Sequence, residues 1–245
     1  DHPEFRGKPV VVGADPKEGK GRGVVSTCSY EARTFGIHSA MPINEAYKRC
    51  PHAIYVWPRG KRYAEASRQI MGILEAFSPD IEQISIDEAF LDISSTYKIY
   101  GSPEKLAQEI KRRIHEEVHL TSSVGIAPSK FVAKIASDLK KPDGLVIVHK
   151  DGVKAFLHPL KISRLWGVGK KTLPRLQRLG IYTIGDLADY SQKELTQKFG
   201  QSGQHYFHLA NGIDARNVEG YVAAKSISKE VTFGKDLQED EAILG

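Results

Sequence analysis

Apolar positions along this chain follow two periods, about 2 and about 3.6, and the switches between them mark its elements. Residues 7–15, GKPVVVGAD, predict a strand that ends in the polar loop PKEGKGRG at 16–23. Residues 24–37, VVSTCSYEARTFGI, predict a short strand, a Ser/Thr cluster and a short helix. MPINEAYKRCP at 41–51 predicts a helix with Pro42 near its first turn and Pro51 closing it. Between 61 and 77, Tyr63, Ala66, Ile70, Leu74 and Phe77 recur at helical spacing. Two strands follow SPD at 78–80. Ser102 and Pro103 then open a helix with Leu106, Ile110, Ile114 and Val118 on one face. A strand (TSSVGIA), a helix (PSKFVAKIASDL), a break (KKPDG) and a strand (LVIV) complete the run to 148.

Residues 58–148 therefore read as an α+β unit, with helices on one face of a mainly antiparallel sheet. Strands disappear from about 150, where short helices and Gly turns take over, and this predicts a domain boundary. The polar stretch NGIDARNVEGYVAAKS at 211–226 reads as a linker, and ISKEVTF at 227–233 as the first strand of a further domain.

Within this pattern SIDEAFLDI at 85–93 is anomalous, because Asp87 and Glu88 interrupt an apolar run. In a regular strand the two would point to opposite faces. The apolar phase argues against that: Ile84 and Ile86 are even-numbered, while Ala89, Leu91 and Ile93 are odd. A phase switch at the acids predicts a turn or bulge, which lets both carboxylates lean toward one point. Two carboxylates there repel each other, and a hard divalent cation with oxygen ligands, such as Mg²⁺, removes the conflict. On these nine residues alone, a solvent-facing hairpin turn with two acids, a common feature, is the favoured reading.

Composition narrows the class. The chain has 245 residues, 40% hydrophobic and 27% charged, enough for a packed core and two or three domains. No apolar run reaches the roughly 18 residues needed to span a bilayer, and no signal peptide opens the chain. Two cysteines, Cys28 and Cys50, and nine histidines form no metal-ligand spacing. A cytosolic protein is the simplest expectation. A net charge of +5 permits a polyanionic partner.

Three stretches offer what a triphosphate needs. STCSYEAR puts Tyr30 and Arg33 on one face of a first helical turn, with Thr27 and Ser29 adding hydroxyls and the planar Arg33 fork suited to phosphate oxygens. SDLKKPDG places Lys140 and Lys141 at a helix end, where they also suit the helix dipole. KEGKGRG is a flexible basic loop. Further on, LWGVGKKT carries Gly167 and Gly169 beside Lys170 and Lys171, and a weaker version follows at Gly200 and Gly203. Such turns can present backbone N–H groups to DNA phosphates, a contact that reads backbone and not bases. Trp57 and Trp166 are expected to fill core.

GKPVVVG, STCSYEARTFGIHSAMP, SIDEAFLDI, SVGIAPSKFVAKIASDLKKPDG and LWGVGKKT…LGI occur in this order over nearly the whole chain. Together they closely resemble the Y-family of translesion DNA polymerases, in its bacterial DNA polymerase IV branch. The resemblance implies a right-hand architecture: fingers at 1–58, palm at 59–149, a thumb with tandem helix–hairpin–helix turns at 150–212, and a linker with the start of a little finger at 213–245. It implies that Asp87 and Glu88 are catalytic metal ligands for two Mg²⁺. Tyr30, Arg33 and Lys141 match triphosphate-contacting positions, and Thr27 lies in the same phosphate-side loop. The implied partners are primer–template DNA, deoxynucleoside triphosphates and, through a C-terminal region absent here, a sliding clamp. The family's D-x-D-x-F-F/Y-A strand, with its third carboxylate, does not precede Asp1. The chain alone is therefore expected to be inactive or nearly so. A DNA-binding paralogue without catalysis is the competing expectation, although nothing would require it to keep Asp87, Glu88, Arg33 and Lys141 together.

Overall fold

The computed structural model describes residues 2–220, 225–230 and 232–233. The chain divides into two compact units, the first built on residues up to Tyr63 and the second on Ala64–Val222.

In the first unit, three strands form a sheet in the order β2-β1-β3: β1 (Val10–Gly13), β2 (Val25–Cys28) and β3 (Ile54–Val56). β1 runs antiparallel to β2, with Val12 opposite Thr27, and parallel to β3, with Val11 opposite Tyr55. The β1–β2 register shifts at Gly13, where a Cβ would stand 2.6 Å from the Val24 carbonyl, so no larger residue fits without movement. α1 (Tyr30–Arg33) and α2 (Ile43–Arg49) close over the sheet. Val11, Val25, Ala32, Ile37, Met41, Ile43, Ala46 and Cys50 form the core. Cys28 and Cys50 are both buried free thiols. Sequence patterning missed β3. Trp57, expected in a core, follows it and is 67% exposed.

The second unit begins within α3 (Gly60–Glu75), which β4 (Ile81–Gln83) and β5 (Ala89–Leu91), an antiparallel pair, follow. α4 (Pro103–Val118) follows, with the Ser102 hydroxyl accepting the Lys105 N–H at 3.1 Å as its cap. Its Leu106, Ile110 and Ile114 pack on Ile73, Leu74 and Phe77. Each such buried side chain contributes about 1.5–3 kcal/mol. β6 (Val124–Ile126), α5 (Lys130–Leu139) and β7 (Leu145–Ile147) then form a strand–helix–strand crossover, and its two strands are parallel. The α+β class expected from the sequence is what the structure has. Its expected mainly antiparallel sheet is instead two separate pairs, one of them parallel, because a helical crossover returns the chain in the same direction.

After β7 come five short helices: α6 (Val153–Leu157), α7 (Leu173–Gln177), α8 (Ile184–Ala188), α9 (Gln192–Phe199) and α10 (Gln201–Ala210). They contain no strand, as the sequence pattern predicts. One core nevertheless runs across the expected boundary near 150: Phe131, Val132, Ile135 and Ala136 of α5 pack in the same cluster as Leu157, Leu165, Leu176, Ile184, Leu195 and Leu209. Over residues 227–233 the described positions form no strand, and Val231 lies outside the described residues.

Beyond α10, residues 212–219 lie as a strap against β4 and the start of α5. The Asp214 carboxylate, 3% exposed, accepts the Phe131 N–H at 3.0 Å and pairs with Arg216 at 2.7 Å. The Arg216 guanidinium stacks over Trp166, which packs on Phe90 and Phe131. Glu82 accepts both the Lys130 ammonium at 2.5 Å and the Glu219 N–H at 2.9 Å. These bonds hold both acids below their ordinary range, although burial pushes the other way.

Candidate active site and nucleic-acid interface

The acid pair occupies the turn between β4 and β5. The ladder ends at Gln83 opposite Ala89, and the Ile84 N–H closes the loop on the Glu88 carbonyl at 2.9 Å. The apolar phase switch thus marks a turn: Ile84 and Ile86 are exposed, while Ala89, Leu91 and Ile93 pack against the α3–α4 core. Asp87 is exposed, and its carboxylate accepts the Ser85 hydroxyl at 2.6 Å. Glu88 is half-buried and ion-paired with Lys134, which projects from the middle of α5.

That pair belongs to a longer string. Lys134 also meets Asp138 at 3.2 Å, one helical turn on, and Asp138 meets Lys141 at 2.7 Å. Glu88, Lys134, Asp138 and Lys141 therefore alternate in charge, and they link two residues singled out from the sequence through two that were not. Burial disfavours charge on Lys134, but the hydrogen bond it donates to Glu88 and the charge of Asp138 win, and its pKa is raised. Burial likewise opposes ionisation of Asp138, and its two lysines still hold it below its ordinary value. The i, i+4 spacing of Lys134 and Asp138 was visible in the sequence. The pairing with Glu88, 46 residues away, was not.

The donor set suits a hard divalent cation: carboxylate oxygens on a turn, one of them already drawing a cation to itself. Among the described residues no group of three His, Cys, Asp or Glu gathers for a metal, so the pair would need oxygen ligands from elsewhere to complete a shell.

Thr27, Tyr30 and Arg33 lie in the first unit. Thr27 is an exposed β2 residue, and the Arg33 guanidinium sits 5.7 Å from the centre of the half-exposed Tyr30 ring. α1 is a single turn, and the Ser29 hydroxyl already accepts the Ala32 N–H.

At the first glycine turn the expectation and the geometry agree in kind. Gly167 has φ +86°, its carbonyl accepts the Tyr206 hydroxyl at 2.9 Å, and Val168 anchors the turn in the core. Among the described residues the N–H groups of Gly167, Gly169, Lys170 and Lys171 have no intramolecular acceptor. Gly169 is open, with nothing within 4 Å of a would-be Cβ. Lys170 and Lys171 are exposed. The second turn differs. Gly200, at φ +63°, is exposed, but its N–H is taken by the Thr196 carbonyl at 2.8 Å. Gly203 lies buried within α10, where a Cβ would stand 2.0 Å from the Leu195 carbonyl. Gly203 therefore lets α9 and α10 pack closely and presents nothing to a ligand.

The impB/mucB/samB family model matches residues 1–138, and the IMS family HHH motif matches 150–181. The chain is 50% identical over 243 residues to DNA polymerase IV of Methanoculleus marisnigri and 45% identical over 244 to that of Clostridium perfringens. These matches cover 99% and 100% of this chain and 67% of each relative, so it spans about two thirds of their length. Among solved structures, DinB from Sulfolobus solfataricus superposes with a TM-score of 0.79 at 36% identity, over 89% of this chain and 63% of that one. The insertion ternary complex of Dbh DNA polymerase gives a TM-score of 0.79 at 36% identity, over 90% and 65%.

Proposed function

This chain belongs to the impB/mucB/samB family, within the Y-family DNA polymerases and their DNA polymerase IV branch, and on that premise we propose that it is the catalytic portion of an error-prone, template-directed DNA polymerase. The observation that carries this reading is the acid pair on the β4–β5 turn with the Lys134–Asp138–Lys141 string beside it.

In this reading residues 1–58 are the fingers, 59–149 the palm and 150–212 the thumb. Asp87 and Glu88 hold Mg²⁺, which when bound favours the primer 3′-oxygen as nucleophile and neutralises the leaving pyrophosphate. Lys141 donates to triphosphate oxygens, as do Arg33 and the hydroxyls of Tyr30 and Thr27. Gly167, Gly169, Lys170 and Lys171 hold duplex phosphates through backbone N–H groups and ammonium charge, and exposed Gly200 lies at a second, weaker turn. Two protein carboxylates are a thin cage for two ions, so the 245-residue chain by itself is expected to be inactive or nearly so. Primer–template DNA and deoxynucleoside triphosphates are the substrates. In the longer protein a sliding clamp is the expected partner, and the cytoplasm the expected location. Among the described residues no helix is long and apolar enough to cross a membrane.

Primer extension tests the reading, with the little finger and the carboxylate-bearing strand of the family supplied. Asp87→Asn should abolish extension with Mg²⁺ while leaving duplex affinity intact. Normal extension by that variant would remove the acid pair from the chemistry. Duplex binding without extension by the unmutated protein would favour the non-catalytic paralogue.

A further inference from the structure

The Glu88–Lys134 ion pair gives one of the two acids a cation of its own before any metal arrives. Asp87 accepts the Ser85 hydroxyl, so the two neighbouring carboxylates have different partners. A divalent ion on Glu88 repels Lys134 from this position, because two cations then share one carboxylate at contact distance. The lysine has somewhere else to go. Asp138 lies one helical turn along α5, already 3.2 Å from the same ammonium, and it shares its other oxygen with Lys141 at 2.7 Å. The Lys134 side chain is one-fifth exposed, and four rotatable bonds let its head move between the two acids without any change in the helix.

We propose that Lys134 is a displaceable internal counter-ion, a positioning residue that holds Glu88 in the metal-free site and transfers to Asp138 when a divalent cation binds. The proposal rests on the reading of Asp87 and Glu88 as metal ligands. Lys134 then competes directly with the metal, and Asp138 sets how readily it yields. The consequences for affinity have opposite signs. Removing the ammonium should tighten divalent binding, since the competitor is gone. Removing the Asp138 charge should weaken it, since Lys134 is left wholly on Glu88. A residue with a merely structural role would weaken binding or leave it unchanged in both cases.

The test is Mn²⁺ titration of the 245-residue chain, followed by the loss of the free-ion electron paramagnetic resonance signal, with no DNA or nucleotide present. Lys134→Gln should bind Mn²⁺ roughly fivefold more tightly than the unmutated chain, the scale of one unit charge near 4 Å in a water-like dielectric. Asp138→Asn should bind more weakly, and Lys134→Arg, which keeps the charge, should lie close to the unmutated chain. Asp87→Asn separates the two layers of the argument. If it loses Mn²⁺ binding but Lys134→Gln binds no more tightly than the unmutated chain, the counter-ion role is overturned and the metal site stands. If Asp87→Asn binds Mn²⁺ normally, the metal site and the counter-ion role fall together. Should Lys134→Gln not fold, Asp138→Asn decides by itself, and binding equal to or tighter than that of the unmutated chain overturns the proposal.

Discussion

Gly203 and Gly169 are the same residue type in neighbouring helical turns, and they do opposite things. Gly203 sits where α9 and α10 cross, with no room for a Cβ, whereas Gly169 faces open space. Gly203→Ala must push the two helices apart, and overpacking of this kind costs about 1–3 kcal/mol. Urea denaturation should therefore show a loss of that size for Gly203→Ala and almost none for Gly169→Ala. Equal losses would contradict the packing role. The sequence shows four glycines near two turns but cannot show which one meets a backbone carbonyl, because that depends on two helices crossing. Asp87 and Glu88 were legible because they break an apolar phase, a signal contained in nine consecutive residues. Lys134 and Asp138 carried no comparable signal, since Lys and Asp four apart on an amphipathic helix are ordinary and the informative partner, Glu88, lies far away in sequence.

The elements that sequence patterning recovered are those held by local rules: the capped, amphipathic α4, the strand pair around the acids, and the helix break after α5. β3 was missed because its partner, β1, lies some 40 residues earlier and pairs in parallel, which no turn signal announces. The strap at 212–219 read only as a polar linker, although its Asp214 carboxylate is buried and ion-paired. Its Asp214 was unremarkable in sequence because the bond that matters reaches Phe131, 83 residues away. The carboxyl of Asp214 is held below its ordinary 3.8, so its contribution to stability is fully present above that value. The contribution is then lost as pH falls through the lowered, folded-state value. Asp214→Asn should cost about 1.5–3 kcal/mol at neutral pH, the range for a buried hydrogen bond to a charged group. It should also flatten the decline in stability as pH falls below 3.8. Denaturant midpoints measured across that range check both outcomes, and parallel acid limbs for the two proteins would remove Asp214 from the account.

For the molecule as a whole, a formal charge of +5 is too small to guarantee a polyanionic partner, so its placement matters more than its sum. Lys170 and Lys171 stand beside a turn whose Gly167 and Gly169 N–H groups have no acceptor among the described residues, the arrangement proposed to hold duplex phosphates. Lys170→Ala should weaken duplex binding by a similar factor for every sequence and reduce the slope of log affinity against log salt by about 1. A loss confined to certain sequences would mean that bases are being read. The second unit also has a property that none of its motifs reveals. The cluster that buries Phe131 and Ile135 of α5 continues without a gap to Leu195 and Leu209. Lys134, in the string beside the acids, rides on α5, and the Gly167 turn is bonded to Tyr206 of α10. In the proposed polymerase reading, one packed interior therefore joins the acid-pair end of this unit to the end that would hold duplex phosphates.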